Sequence, residues 1–99
     1  MFPRGISGTA SGDTGLTTIT GYSIRETSNV LGAKVTFSNA TGDGLPLSAG
    51  TTLWGVQLAP GETINVQFGE NPVTNNSMAP ATFYLNIDSG TVQYAVFGQ

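Results

Sequence analysis

The feature that most constrains this chain is a two-residue alternation of apolar and polar side chains, repeated in short runs and never extending into a helical period. Residues 20–26 put Tyr22 and Ile24 on one face, and residues 33–38 put Ala33, Val35 and Phe37 on one face with Lys34, Thr36 and Ser38 on the other. Trp54, Val56 and Leu58 point one way within 53–58, as do Ile64, Val66 and Phe68 within 63–68. Two final runs, 81–87 and 91–97, complete the pattern. Strands that each carry one apolar face must bury those faces against one another. The expected fold is therefore all-β: an antiparallel β-sandwich or jelly-roll-like barrel of about six to eight strands, with Trp54, Phe37, Phe68, Phe83 and Tyr94 at its centre.

Turn chemistry separates the runs. A two-residue turn at Ser89-Gly90 would pair Ile87 with Val92, Leu85 with Tyr94 and Phe83 with Val96, bringing all six onto one face of a hairpin. Ala59-Pro60-Gly61-Glu62 fits a type II turn, in which Pro presets its φ and Gly supplies the positive φ at the third position. Face parity there requires a three-residue loop or a bulge, pairing Trp54 with Phe68; the alternative is that the chain crosses between two sheets at this turn. Longer turn-rich loops are expected at 39–50 and 69–80.

With 99 residues there is room for one domain, here residues 16–99. Residues 1–15 hold Gly5, Gly8, Gly12 and Gly15 among small polar residues, show no period, and read as a flexible N-terminal arm. Phe2 and Ile6 are the apolar residues with which that arm would dock on a partner; the alternative is a plain disordered tail. By parity Tyr84 and Phe97 fall on the outer face of the last hairpin, where aromatics on a neutral sheet call for a partner.

Composition narrows the chemistry. There is no cysteine and no histidine, which removes thiolate metal sites, disulfides, thiol nucleophiles and the commonest general base. Only 9% of residues are charged, against roughly 25% in an ordinary soluble domain. Short neutral polar groups in their place are cheap to desolvate under a covering protein. A net charge of -3, with Arg4, Arg25 and Lys34 the only cations, argues against nucleic-acid binding. No apolar run is long enough to span a membrane and no basic-then-apolar leader opens the chain, so use without secretion machinery is expected unless processing has removed a signal.

Asp13-Thr14-Gly15 and Asp88-Ser89-Gly90 both match the triplet with which aspartic proteases pair two carboxylates. The first follows Ser11 and Gly12 rather than apolar residues, and the second sits where a turn is needed, so neither setting suits catalysis. Asn39, Thr41 and Asp43 offer only one carboxylate to calcium. Asn39-Ala40-Thr41 and Asn75-Asn76-Ser77 match the glycosylation sequon, as chance allows in a chain rich in Ser, Thr and Asn. Arg25-Glu26 reads as a local surface pair. No cofactor, metal or enzymatic activity is expected.

Taken in order, Ser23-Ile24-Arg25-Glu26-Thr27-Ser28, Leu58-Ala59-Pro60-Gly61-Glu62 and Asp88-Ser89-Gly90-Thr91-Val92 resemble the opening strand, central turn and closing hairpin of small tailed-bacteriophage virion proteins of the capsid decoration (cement) type. The likeness runs from about Ser23 to Phe97; the loop at 69–80 has no counterpart in it. It implies a β-sandwich or barrel that binds the outside of the assembled head through the major capsid protein and stabilises it. It also implies a homo-oligomer, a trimer, found on the virion surface and in the host cytoplasm during assembly. Avidity would then multiply weak contacts, and the arm would order on the shell with Phe2 and Ile6 as anchors and Arg4 meeting an acidic patch. The competing reading is a carbohydrate- or receptor-binding module of a phage fibre or tail tip, which predicts exposed Trp or Tyr beside Asn and Asp on the long loops. Another virion part, a connector or tube subunit, is a third.

Overall fold

The alternating runs become nine antiparallel β-strands in the computed structural model, which describes residues 4–41, 48–75 and 81–99. They are β1 (Arg4–Gly8), β2 (Gly12–Asp13), β3 (Thr18–Glu26), β4 (Ala33–Thr41), β5 (Ser48–Leu58), β6 (Thr63–Gln67), β7 (Val73–Thr74), β8 (Phe83–Ser89) and β9 (Val92–Gly98). One sheet runs β1-β9-β3-β6, with β7 also on β3; the other runs β2-β8-β4-β5. The two pack face to face as a small β-sandwich.

The apolar faces of β3, β4, β8 and β9 are largely buried as expected, whereas Trp54 and Val56 on β5 and Ile64 and Val66 on β6 are half-buried against the core. Ile19, Ile24 and Val96 from the first sheet and Val35, Phe37, Phe83 and Leu85 from the second are fully enclosed. Aromatic rings link the layers: Tyr22 and Phe37 lie 5.0 Å apart, Phe37 stacks on Trp54 at 4.6 Å, and Trp54 meets the Phe83 ring edge-on at 5.7 Å. Tyr94 is buried as well, its hydroxyl donating to the Ala10 carbonyl at 2.7 Å. The five aromatics expected at the centre all pack in or against the core.

The closing hairpin does not form. Leu85 on β8 lies opposite Phe37 and Gly12 in the second sheet, whereas Tyr94 on β9 lies opposite Ile24 and Gly8 in the first. The Ser89-Gly90 turn carries the chain across the core, with Gly90 at φ 80°. All six apolar residues do point inward, but from facing sheets. Parity specifies a face; it cannot distinguish strands side by side from strands opposed across a core. At Ala59-Pro60-Gly61-Glu62 the second alternative holds, since β5 and β6 belong to different sheets. The expected turn is present, with Glu62 N–H on the Ala59 carbonyl at 3.0 Å and Gly61 at φ 73°.

The expected flexible arm is also corrected over its described part. Residues 4–8 form an edge strand on β9, in register from Arg4 opposite Gly98 to Gly8 opposite Tyr94. Residues 12–13 then pair with β8 in the other sheet. Between the strands, Ser11 Oγ accepts the Ile87 N–H at 2.8 Å, and beyond them Thr14 Oγ1 donates to the Phe83 carbonyl at 2.7 Å. Backbone hydrogen bonds hold this segment, and they leave no trace in side-chain periodicity.

Candidate functional site

The outer face of the first sheet follows from its register. Phe97 lies between Gly5 on β1 and Gly21 on β3, and Ala95 lies between Ser7 and Ser23. Beyond β3, β6 adds Thr63, Asn65 and Gln67 to the same face. Arg25 is the only charged side chain in this set. The flanking glycines leave Phe97 43% exposed, with its ring laid over Gly5, 3.3 Å from where a Cβ there would stand. A shallow depression of about 260 Å³ borders it, lined by Ser7, Ser23, Arg25, Thr63, Gln93 and Ala95. Covering such a surface removes few charges from water and gains the burial of one large ring.

The opposite outer face is built differently. Tyr84 on β8 lies between Asp13 on β2 and Ser38 on β4, and is half-buried. Further along the same face of β8, Asp88 accepts hydrogen bonds from Thr36 and Asn86, so the polar groups there already serve one another. Tyr84 and Phe97, expected to share a face, lie on opposite sides of the sandwich. Arg4 turns toward the end of the arm and donates to the Gly15 carbonyl. Ile6 is half-buried and packs against the core opposite Val96. Phe2 lies outside the described residues.

The suspected chemical motifs resolve into structure. Asp13 accepts the Gly15 N–H at 3.0 Å. It sits opposite Tyr84, four residues along β8 from Asp88, about 13 Å at the strand rise, too far for the carboxylates to share a proton. Among the described residues no three His, Cys, Asp or Glu side chains cluster as metal ligands would. Asn75 is buried and donates to the Thr82 carbonyl at 3.0 Å, a poor acceptor for a glycan. Residues 42–47 and 76–80 lie outside the described residues, and with them Asp43 of the calcium-like loop and the rest of that sequon.

A second surface went unread at the end of the sandwich where β3, the 59–62 turn and the 89–90 turn converge. Glu26 is not a surface partner of Arg25: it is fully buried. Its carboxylate accepts the Ser28 hydroxyl at 2.5 Å and the backbone N–H groups of Ser28, Asn29 and Gly61 at 2.9, 2.8 and 2.9 Å. The Ser28 hydroxyl, helped by those three N–H groups and opposed by burial, lowers its pKa from 4.5 to about 2. Ser28 Oγ in turn accepts the N–H groups of Val30 and Leu31 at 3.2 and 3.1 Å. The loop so fixed projects Val30, 75% exposed, and Leu31, 68% exposed. The signal for Glu26 was its parity, since it follows Tyr22 and Ile24 on the inward face of β3.

Trp54, the remaining binding candidate, is half-buried, stacked on Phe37 and edge-on to Phe83. Among the described residues, no helix is long and apolar enough to cross a membrane. Compared with family models, curated proteins and solved structures, the chain matches none of them.

Proposed function

We propose that this chain is a non-catalytic assembly subunit, a capsid decoration (cement) protein of a tailed bacteriophage. It would bind the outside of the assembled head through the major capsid protein and stabilise it there. The observation that carries this reading is the outer face of β1, β9, β3 and β6, which among the described residues has Arg25 as its one charge and bears an exposed Phe97. A rigid ring on a neutral, short-chained sheet has the make-up of a hot spot surrounded by easily desolvated contacts. The ordered likeness of 23–28, 58–62 and 88–92 to small virion proteins supports the choice of partner. A glycan-binding role draws less support, because one face of the half-buried Trp54 is already stacked on Phe37.

Co-sedimentation with undecorated heads tests the proposal. The protein should pellet with heads, raise the temperature at which they break open, and lose affinity about tenfold, or about 1.4 kcal/mol, on Phe97→Thr, which retains a good strand former. Failure of the wild-type protein to sediment with heads overturns it.

A further inference from the structure

We infer that the depression beside Phe97 receives a carboxylate, the side chain of an Asp or Glu on the covering head surface, and that Arg25 is the residue that reads it. This inference rests on the head-binding proposal and names the chemistry the partner must bring to this one spot.

The register builds the depression as three rows across the sheet. Thr63, Arg25 and Gln93 form the first row, Ser23, Ala95 and Ser7 the second, and Gly21, Phe97 and Gly5 the third. The middle row is short and makes a low floor, along which the longer side chains of the first row stand as a wall. The lining is a set of donors without an acid: the Ser7, Ser23 and Thr63 hydroxyls, the Gln93 amide and the Arg25 guanidinium. Among the described residues, none of these side chains has a hydrogen-bond or ion-pair partner. The neighbouring acids are engaged elsewhere. Glu26, next to Arg25 in the chain, is turned inward onto Asn29 and Gly61, and Glu62, next to Thr63, accepts the Ala59 N–H at 2.8 Å. Arg4, expected to meet an acidic patch, donates instead to the Gly15 carbonyl, and Lys34 lies in the other sheet. In a chain of net charge -3, the described part of the Phe97 face therefore shows positive charge alone.

Burial decides the occupant. Phe97 and Arg25 stand four residues apart in the register of β3, about 13 Å at the strand rise. An interface of ordinary size covers about 800 Å² on each partner, a patch roughly 30 Å across, so a surface centred on Phe97 covers Arg25 as well. A guanidinium taken out of water with no counter-charge destabilises the complex that covers it. A carboxylate offsets that loss, because the planar fork holds it bidentately while the hydroxyls and the amide serve its remaining acceptor sites. A neutral partner group would leave the charge unmatched, and a cation would repel it.

Two measurements on the full chain test this. In the first, undecorated heads are titrated with the wild-type protein, Arg25→Gln, Arg25→Lys and Lys34→Gln at rising sodium chloride. Arg25→Gln should bind about tenfold more weakly than wild type at low salt and lose most of the salt dependence. Arg25→Lys keeps the charge without the fork and should fall between the two, and Lys34→Gln should bind like wild type. A folded Arg25→Gln variant that binds heads like wild type overturns the inference and leaves head binding standing. In the second, which needs no heads, the NMR spectrum is followed on adding N-acetylglutamate amide, with N-acetylglutamine amide at matched ionic strength as the neutral control. Only the carboxylate should shift the Arg25 Nε–H and the Ser7 and Ser23 amides, in wild type and not in Arg25→Gln. Absence of that shift overturns the inference even where heads are bound. A wild-type protein that ignores heads yet shows the shift overturns the head-binding reading and keeps the carboxylate site. Glucuronate binding there about tenfold more tightly than the glutamate compound overturns the choice of an acidic side chain in favour of an acidic sugar.

Discussion

The backbone N–H of Gly61 donates to the carboxylate of Glu26 at 2.9 Å, across 35 residues of sequence. That bond ties the turn leaving β5 to the loop leaving β3, and the same carboxylate holds Ser28 and Asn29. A charged acceptor among four donors is satisfied only as a carboxylate.

Replacing Glu26 with Gln should therefore loosen this end of the molecule. An amide offers one acceptor oxygen where four donors wait, and turns its own NH2 toward some of them. The unfolding temperature should fall by at least several degrees. Amide exchange at Ser28, Asn29 and Gly61 should rise more than exchange in β4, which hydrogen-deuterium exchange by NMR reads directly.

The same group sets an acid limit. Its pKa is about 2 in the folded chain against an ordinary 4.5, so between those values the unfolded chain binds the proton more readily. Its contribution is fully present above pH 4.5 and is lost as the pH falls through about 2. Thermal melts across that window should show a steep decline in the wild-type protein and a shallower one in Glu26→Gln.

Phe37 is fully buried, stacked on Trp54 and 5.0 Å from Tyr22 across the core. Phe37→Ala should reduce stability by about 3–5 kcal/mol, since the rings around the vacated space can close it only in part. Urea unfolding followed by Trp54 fluorescence measures the loss. The native emission should shift as well, because the stacking partner is gone.

Gly90 occupies the crossover from β8 to β9 with φ at 80°, and a Cβ there would come within 2.7 Å of the Gly32 carbonyl oxygen. Gly90→Ala meets both an unfavourable backbone region and a backbone obstruction, and should lower stability by more than about 1 kcal/mol. Chemical denaturation beside the wild type checks it.

Which side chains face the core was legible in the sequence, and which strands lie beside one another was not. Phe83, Leu85, Val92, Tyr94 and Val96 all point inward, yet β8 and β9 belong to opposed sheets, because alternation carries no information about the hydrogen-bonded neighbour. The strand at Arg4–Gly8 stayed hidden for a related reason: Ile6 is its one inward apolar residue, and its pairing is made by the backbone. Phe97 was readable as an outward aromatic. Its setting between Gly5 and Gly21 needed the register of strands 76 to 92 residues apart in the chain. Glu26 could have been read from its parity with Tyr22 and Ile24, whereas the four donors around it come from a loop and a distant turn.

Among the described strand pairings, only β4 with β5 joins strands consecutive in the chain. Every other partnership spans a longer stretch, and β1, β2, β3 and β4 all need a neighbour from residues 83–98. Long loops must close before those contacts form, which places the domain among slow, non-local folders. During synthesis the first forty residues therefore wait, unable to complete either sheet, until the last two strands have cleared the ribosome. Assembly of the domain is then a late, concerted event rather than a gradual accretion from the N-terminus.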